Sequence, residues 1–153
     1  MSHSYICSTN SKIRLLAVLF FLIASHAPGV LAGPDTIDIK IGQGSYRVEL
    51  ALTSAQRRQG LMHRERLAHN GGMLLVYPRP GDHRIWMKNM KIPLRVLWID
   101  EQFKVLQIRR LVPCEASPCP VFSAPLPARY ILELSDDEHD VKPGDEIVGL
   151  NAL

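Results

Sequence analysis

The stretch IDIKIGQGSYRVELAL, residues 37–52, decides the fold class of this 153-residue chain. Ile37, Ile39 and Ile41 alternate with Asp38 and Lys40, and Tyr46, Val48, Leu50 and Leu52 alternate with Arg47 and Glu49. Successive side chains of a strand point to opposite faces, so a period of two describes strands with one wet face. Gly42-Gln43-Gly44 between them supplies the permissive backbone of a hairpin loop.

The pattern continues outward from this hairpin. Thr53 followed by Gln56 predicts a capping box that opens a short helix, and Gly60 is placed to stop it. His63 to Asn70 is polar and reads as loop or a helical turn. Met73 to Tyr77 is an apolar run of strand length, ended by Pro78, Pro80 and Gly81. Arg84 to Asn89 and Leu94 to Ile99 read as two strands separated by Pro93, which cannot donate to a ladder. Asp100-Glu101-Gln102 turns into Phe103 to Leu111, making 94–111 a long hairpin. Pro113 to Pro127 is proline-rich and irregular. Tyr130, Leu132 and Leu134 alternate with Ile131 and Glu133, and Pro143-Gly144-Asp145 leads to a last strand, Glu146 to Leu150. About eight strands and one short helix make an all-β domain, either a sandwich or a closed barrel.

The first residues belong to a different class. Lys12 and Arg14 precede the apolar run LLAVLFFLIA, 15–24. That run fits a signal-peptide core and falls short of the roughly twenty residues that span a bilayer. Val30 and Ala32 form the small-x-small pattern of cleavage between Ala32 and Gly33, and no cysteine stands there to carry a lipid. Residues 1–32 are therefore expected to be a cleaved signal, 33–153 a single domain, and the location periplasmic or extracellular. Removing Lys12 and Arg14 from the 18 basic residues leaves 16 against 15 acidic ones. Near-neutral charge without a basic cluster argues against a nucleic-acid partner. Cys7 also leaves, so Cys114 and Cys119 remain as an expected disulfide in an oxidising compartment.

The motifs RRQGLMHRERL (57–67), GGMLLVY (71–77), IWMKNMKIPLRVLWID (85–100), ARYILEL (128–134) and PGDEI (143–147) occur in this order. Together they resemble the bacterial and archaeal family "domain of unknown function 192" over about residues 46–150. The resemblance implies a small β domain of sandwich or jelly-roll type, and it implies no reaction. The chain departs from the family pattern at Met90, where threonine is usual, and at Arg95, where aspartate is usual. The acidic stretch SDDEHD, 135–140, stands where members have a small-residue and glycine turn.

Candidate sites have structural and functional readings side by side. As a strand, residues 84–90 would put Trp86, Lys88 and Met90 on one face and Ile85, Met87 and Asn89 on the other. Structurally, Trp86 fills a barrel end while Asn89 ties down the loop before Pro93. Functionally, Trp86, Lys88 and Asn89 with Arg58 form a surface for a small ligand, since tryptophan offers a flat apolar face and arginine a fork for anions. Met62, Met73, Met87 and Met90 read as core, with copper or other metal handling through methionine and cysteine as the alternative. No cofactor or metal is expected. An enzyme reading would assemble His63, Glu65 and Glu133, and Glu133 reads more simply as a solvated or arginine-paired acid. The favoured expectation is a monomeric binding or accessory module for a small ligand or an envelope protein.

Overall fold

The alternation of residues 37–52 folds into the first hairpin of a seven-stranded mixed sheet. A computed structural model describes residues 35–137, 140–151 and 153. The expected signal segment, its cleavage point at Ala32 and Gly33, and His139 lie outside them. Strands β1 (Thr36–Ile41) and β2 (Gly44–Ala51) are antiparallel, with Ile41 opposite Gly44. Gly42 takes the turn with a positive φ of 54°. Helix α1 (Ser54–Gln59) opens on the predicted capping box: the Thr53 hydroxyl accepts from the Gln56 amide, and the Gln56 side chain accepts from the Thr53 amide.

Seven further strands complete the domain: β3 (Gly71–Gly81), β4 (Ile85–Trp86), β5 (Leu94–Ile99), β6 (Val105–Leu111), β7 (Val121–Phe122), β8 (Ala128–Ser135) and β9 (Ile147–Val148). The large sheet runs β6-β5-β8-β3-β2-β1-β9, and β4 pairs only with β7. Every large-sheet pairing is antiparallel except β2 with β3, which the 52–70 crossover makes parallel. The sheet curls into a half-barrel whose edges meet at one end. There Lys104 bridges Glu146, and the Val105 amide donates to Asp145 O at 2.9 Å. The all-β class thus holds.

Three sequence expectations change in detail. The strand expected over Arg84 to Asn89 is only Ile85–Trp86, because the chain turns at Met87 and Asn89 adopts φ 58°. The irregular proline segment contributes its partner, β7, outside the large sheet. Strand β3 continues through Pro78 and Pro80 instead of ending there, which works because its ladder with β8 is broken between Val76 and Gly81. A proline lacks the ladder donor, so it is tolerated where the pairing is already interrupted.

Both faces of the central strands are covered. Inside the curl, Ile39, Ile41, Val48, Leu74, Leu97, Leu132 and Leu134 form one apolar cluster with residues of the closing end, Ile147 and Leu150. On the outer face, Leu61, Met73, Leu75, Met87, Val96, Trp98 and Ile131 form a second. The outer layer is covered by loops and the β4–β7 ribbon instead of a second full sheet. Cys114 and Cys119 are joined by a disulfide with Cα atoms 5.8 Å apart, and the Cys114 amide donates to Met87 O. No described helix is long and apolar enough to cross a membrane.

Candidate functional site

Strand β8 places one acid where burial makes it conspicuous. Odd-numbered residues of this strand face the outer layer, so Glu133 lies on the side of Ile131, between Met73 of β3 and Val96 of β5 in the ladder. It is 6% exposed, and its Oε2 is buried without a hydrogen-bond partner. A carboxylate out of water and without donors is disfavoured in its charged form. Burial accordingly pushes the Glu133 carboxyl up to about 7, with the Arg64 guanidinium pulling the other way. Arg64 cannot neutralise it fully, because both its terminal nitrogens engage Glu49, Nη2 to Oε2 at 2.7 Å.

Above Glu133 lies the end of α1. Gly60 has a φ of 48°, and a side-chain carbon there would meet Glu133 Oε2 at 3.5 Å. The glycine is favoured by its positive φ, and the chain it turns runs over the carboxyl. Between α1 and the β4–β7 ribbon opens a cleft of about 450 Å³, and Glu133 lines it. Leu61, Met62, Ile85, Met90 and Val121 supply apolar wall, and Trp86, 46% exposed, stands at its edge. Trp86 lies opposite Val121 in the ribbon, so the ribbon carries one side of the cleft.

Three arginines line the same space in different states. Arg57 donates through Nη1 to the carbonyls of Leu52 (2.6 Å) and Val76 (2.8 Å) and lies over the Tyr77 ring at 4.9 Å. It ties α1 to β3. Arg84 donates from Nε and Nη2 to Asp82, and that bond holds the Asp82 carboxyl below its usual range. Arg58 is exposed on α1 and engages no partner among the described residues. Tyr77 stacks on His83 with centroids 3.5 Å apart, and burial pushes its hydroxyl up.

Of the residues singled out from sequence, Arg58 and Trp86 line this cleft. Lys88 is exposed, its Nζ 5.2 Å from the centre of the Trp86 ring. Asn89 is exposed and left-handed, its carbonyl accepting from the His63 amide at 3.0 Å and its side chain reaching Met62 Sδ at 3.9 Å. It works as a loop residue and is not a buried polar group. His63 and Glu65 are exposed and outside the cleft, with Glu65 paired to Lys91 at 2.8 Å, so they do not converge with Glu133. Met73 and Met87 are buried in the outer cluster, Met90 packs against it, and Met62 lines the cleft. Among the described residues, no three of histidine, cysteine, aspartate and glutamate group as metal ligands.

The residue that sequence reading undervalued is Glu133. The signal was available: ARYILEL is apolar on both faces, the mark of a strand covered on both sides, and an acid in it cannot reach water.

The family model for the proteins designated DUF192, described as "Uncharacterized ACR", matches residues 37–149. The chain belongs to this DUF192 family. A crystal structure of a Sinorhizobium meliloti protein, provisionally described as a transcription regulator, is similar at 29% identity and a TM-score of 0.70, covering 77% of this chain and 96% of that one. A Novosphingobium aromaticivorans protein of unknown function is similar at 27% identity and a TM-score of 0.66, covering 77% and 88%. No curated protein matches the chain. This DUF192 domain therefore shares its fold with relatives that supply no established reaction.

Proposed function

We propose that this DUF192 protein is a binding module that holds a small ligand in the cleft between α1 and the β4–β7 ribbon. One observation carries the reading: an acid with a buried, unpartnered oxygen lines a cleft of ligand size beside an apolar wall. Buried polar groups normally find partners, and an orphan beside an open cavity points to a partner brought by a ligand. Trp86 offers the flat contact surface, and Arg58 the polar anchor at the rim. Lys88 and Asn89 belong to the loop that presents Trp86. A nucleic-acid role like the one provisionally given to the Sinorhizobium relative is not favoured, because removal of the expected signal leaves 16 basic residues against 15 acidic ones. The signal-like N-terminus and the disulfide support a location outside the cytoplasm.

The test is a ligand-observed NMR screen of small polar compounds against the purified full chain. Compounds that bind are expected to lose binding with Trp86→Ala and with Arg58→Gln. Hits that bind both variants like the parent would place the site elsewhere.

A further inference from the structure

The three arginines and the one acid that line the cleft differ in how they are engaged, and the difference says what the ligand carries. Arg57 is engaged by two carbonyls and the face of Tyr77. Arg84 is matched by Asp82 through two donors. Arg64, the cation that acts on Glu133, is matched by Glu49. Setting these aside leaves one cation and one acid without a hydrogen-bonding partner among the described residues: Arg58 at the rim and Glu133 at the floor. The wall between α1 and the ribbon is apolar, made by Leu61, Met62, Ile85, Met90 and Val121.

We infer that the cleft takes a zwitterion with an apolar body, an amino acid or a short peptide, its ammonium at Glu133 and its carboxylate at Arg58. This rests on the cleft being the ligand site. An arginine fork matches a carboxylate in two parallel hydrogen bonds. An ammonium supplies donors and a compensating charge, which a desolvated carboxylate lacks. An anion without an ammonium would satisfy Arg58 but leave Glu133 uncharged and unused. A cation alone would leave Arg58 unmatched.

Proton movement follows from the same arrangement. The charged or titratable groups that act on Glu133 are Arg64 after α1 and Tyr77 on β3, while Arg57, Arg58 and Arg84 line the same cleft. With its carboxyl near 7, Glu133 is partly protonated at neutral pH. An arriving ammonium drives that proton to solvent, so affinity climbs as pH rises through about 7 and is weakest in acid.

The experiment is isothermal titration calorimetry of the full chain with phenylalanine and the dipeptide Leu-Phe, each also as its N-acetyl and C-amide derivative. The zwitterions are expected to bind, with affinity rising between pH 5.5 and 8. N-acetylation and amidation should each weaken binding about tenfold or more, the loss expected for a charge-assisted contact. Glu133→Gln should erase the penalty for acetylation and the pH dependence, and Arg58→Gln the penalty for amidation. Arg58 is exposed, so that variant keeps the test alive if the buried substitution misfolds. N-acetylated forms binding as tightly as the parents, with affinity falling as pH rises, would overturn the inference in favour of a plain anion. No binding by the panel, while the NMR screen finds other cleft ligands, would overturn it and leave the binding module standing. A cleft that binds nothing in either experiment overturns both.

Discussion

The two faces of strand β8 are both buried, yet they are built for different ends. Tyr130, Leu132 and Leu134 face the inside of the curl, where the sheet covers itself and the layer is apolar. Ile131, Glu133 and Ser135 face outward, where α1, the 61–67 loop and the β4–β7 ribbon do the covering. A sheet closing on itself leaves little room for error, because interior packing is as dense as an organic crystal. A cover made of a six-residue helix and a two-residue ribbon leaves gaps. The cleft is such a gap, and the orphaned acid sits beneath it. The inner face maintains the fold, while the outer face is free to carry chemistry.

This contrast can be broken most forcefully from inside. Leu132→Ala empties a fully buried position of the inner cluster and should cost about 2–5 kcal/mol in urea unfolding. A loss well under 1 kcal/mol would mean that the inner layer is loosely packed. Glu133→Gln sharpens the contrast from the other face with an effect of opposite sign. The folded carboxyl titrates near 7 and the unfolded one near its ordinary 4.5. The unfolded chain therefore sheds its proton first, so the parent loses stability as pH climbs from about 4.5 and levels off above 7. The glutamine variant escapes this fall. It should be more stable than the parent by on the order of 3 kcal/mol at pH 8 and equal to it near pH 4. Parallel pH–stability curves for the two proteins would mean that Glu133 reaches water.

How much of this was legible in the sequence differs between the faces in the same way. Alternation around Gly42 gave the first hairpin, and Thr53 with Gln56 gave the helix start, since both depend on residues close in the chain. The inner cluster follows from that alternation. The cleft does not, because it is made from residues far apart: Arg58, Trp86, Val121 and Glu133 meet through tertiary packing alone. Residues 84–89 misled for a similar reason. Their period of two suits a strand, but Asn89 in a left-handed conformation turns the chain, and only Ile85–Trp86 pairs. Glu133 reads from the sequence as a solvated or arginine-paired acid that could face a pocket, although its neighbours on both sides are apolar.

Two smaller effects test the outer cover itself. Replacing Cys114 and Cys119 with serine removes a short covalent loop, expected to cost about 2 kcal/mol by the chain-closure argument. Because β7 follows that loop and pairs with Trp86, ligand affinity should fall by more than this stability loss alone explains; calorimetry with and without reductant would read it. Trp86→Ala should change unfolding stability by less than about 0.5 kcal/mol, as for an exposed side chain. A larger loss would assign Trp86 to the core and weaken its role at the cleft.

The seam where Lys104 meets Glu146 also has a kinetic meaning. Strand β9 pairs with β1, and the residues just before it reach the start of β6, so the last strand joins segments from both ends of the domain. Contacts between residues so far apart in sequence form late and slowly, because the loop between them must close first. A nascent chain that has not yet emerged beyond Pro143 has nothing to offer either edge, and its inner layer lacks Ile147 and Leu150. Until those residues arrive, the Lys40–Ile41 end of β1 and the start of β6 lack these partners. The arrival of residues 143–150 thus completes the inner layer and seals one corner of the sheet.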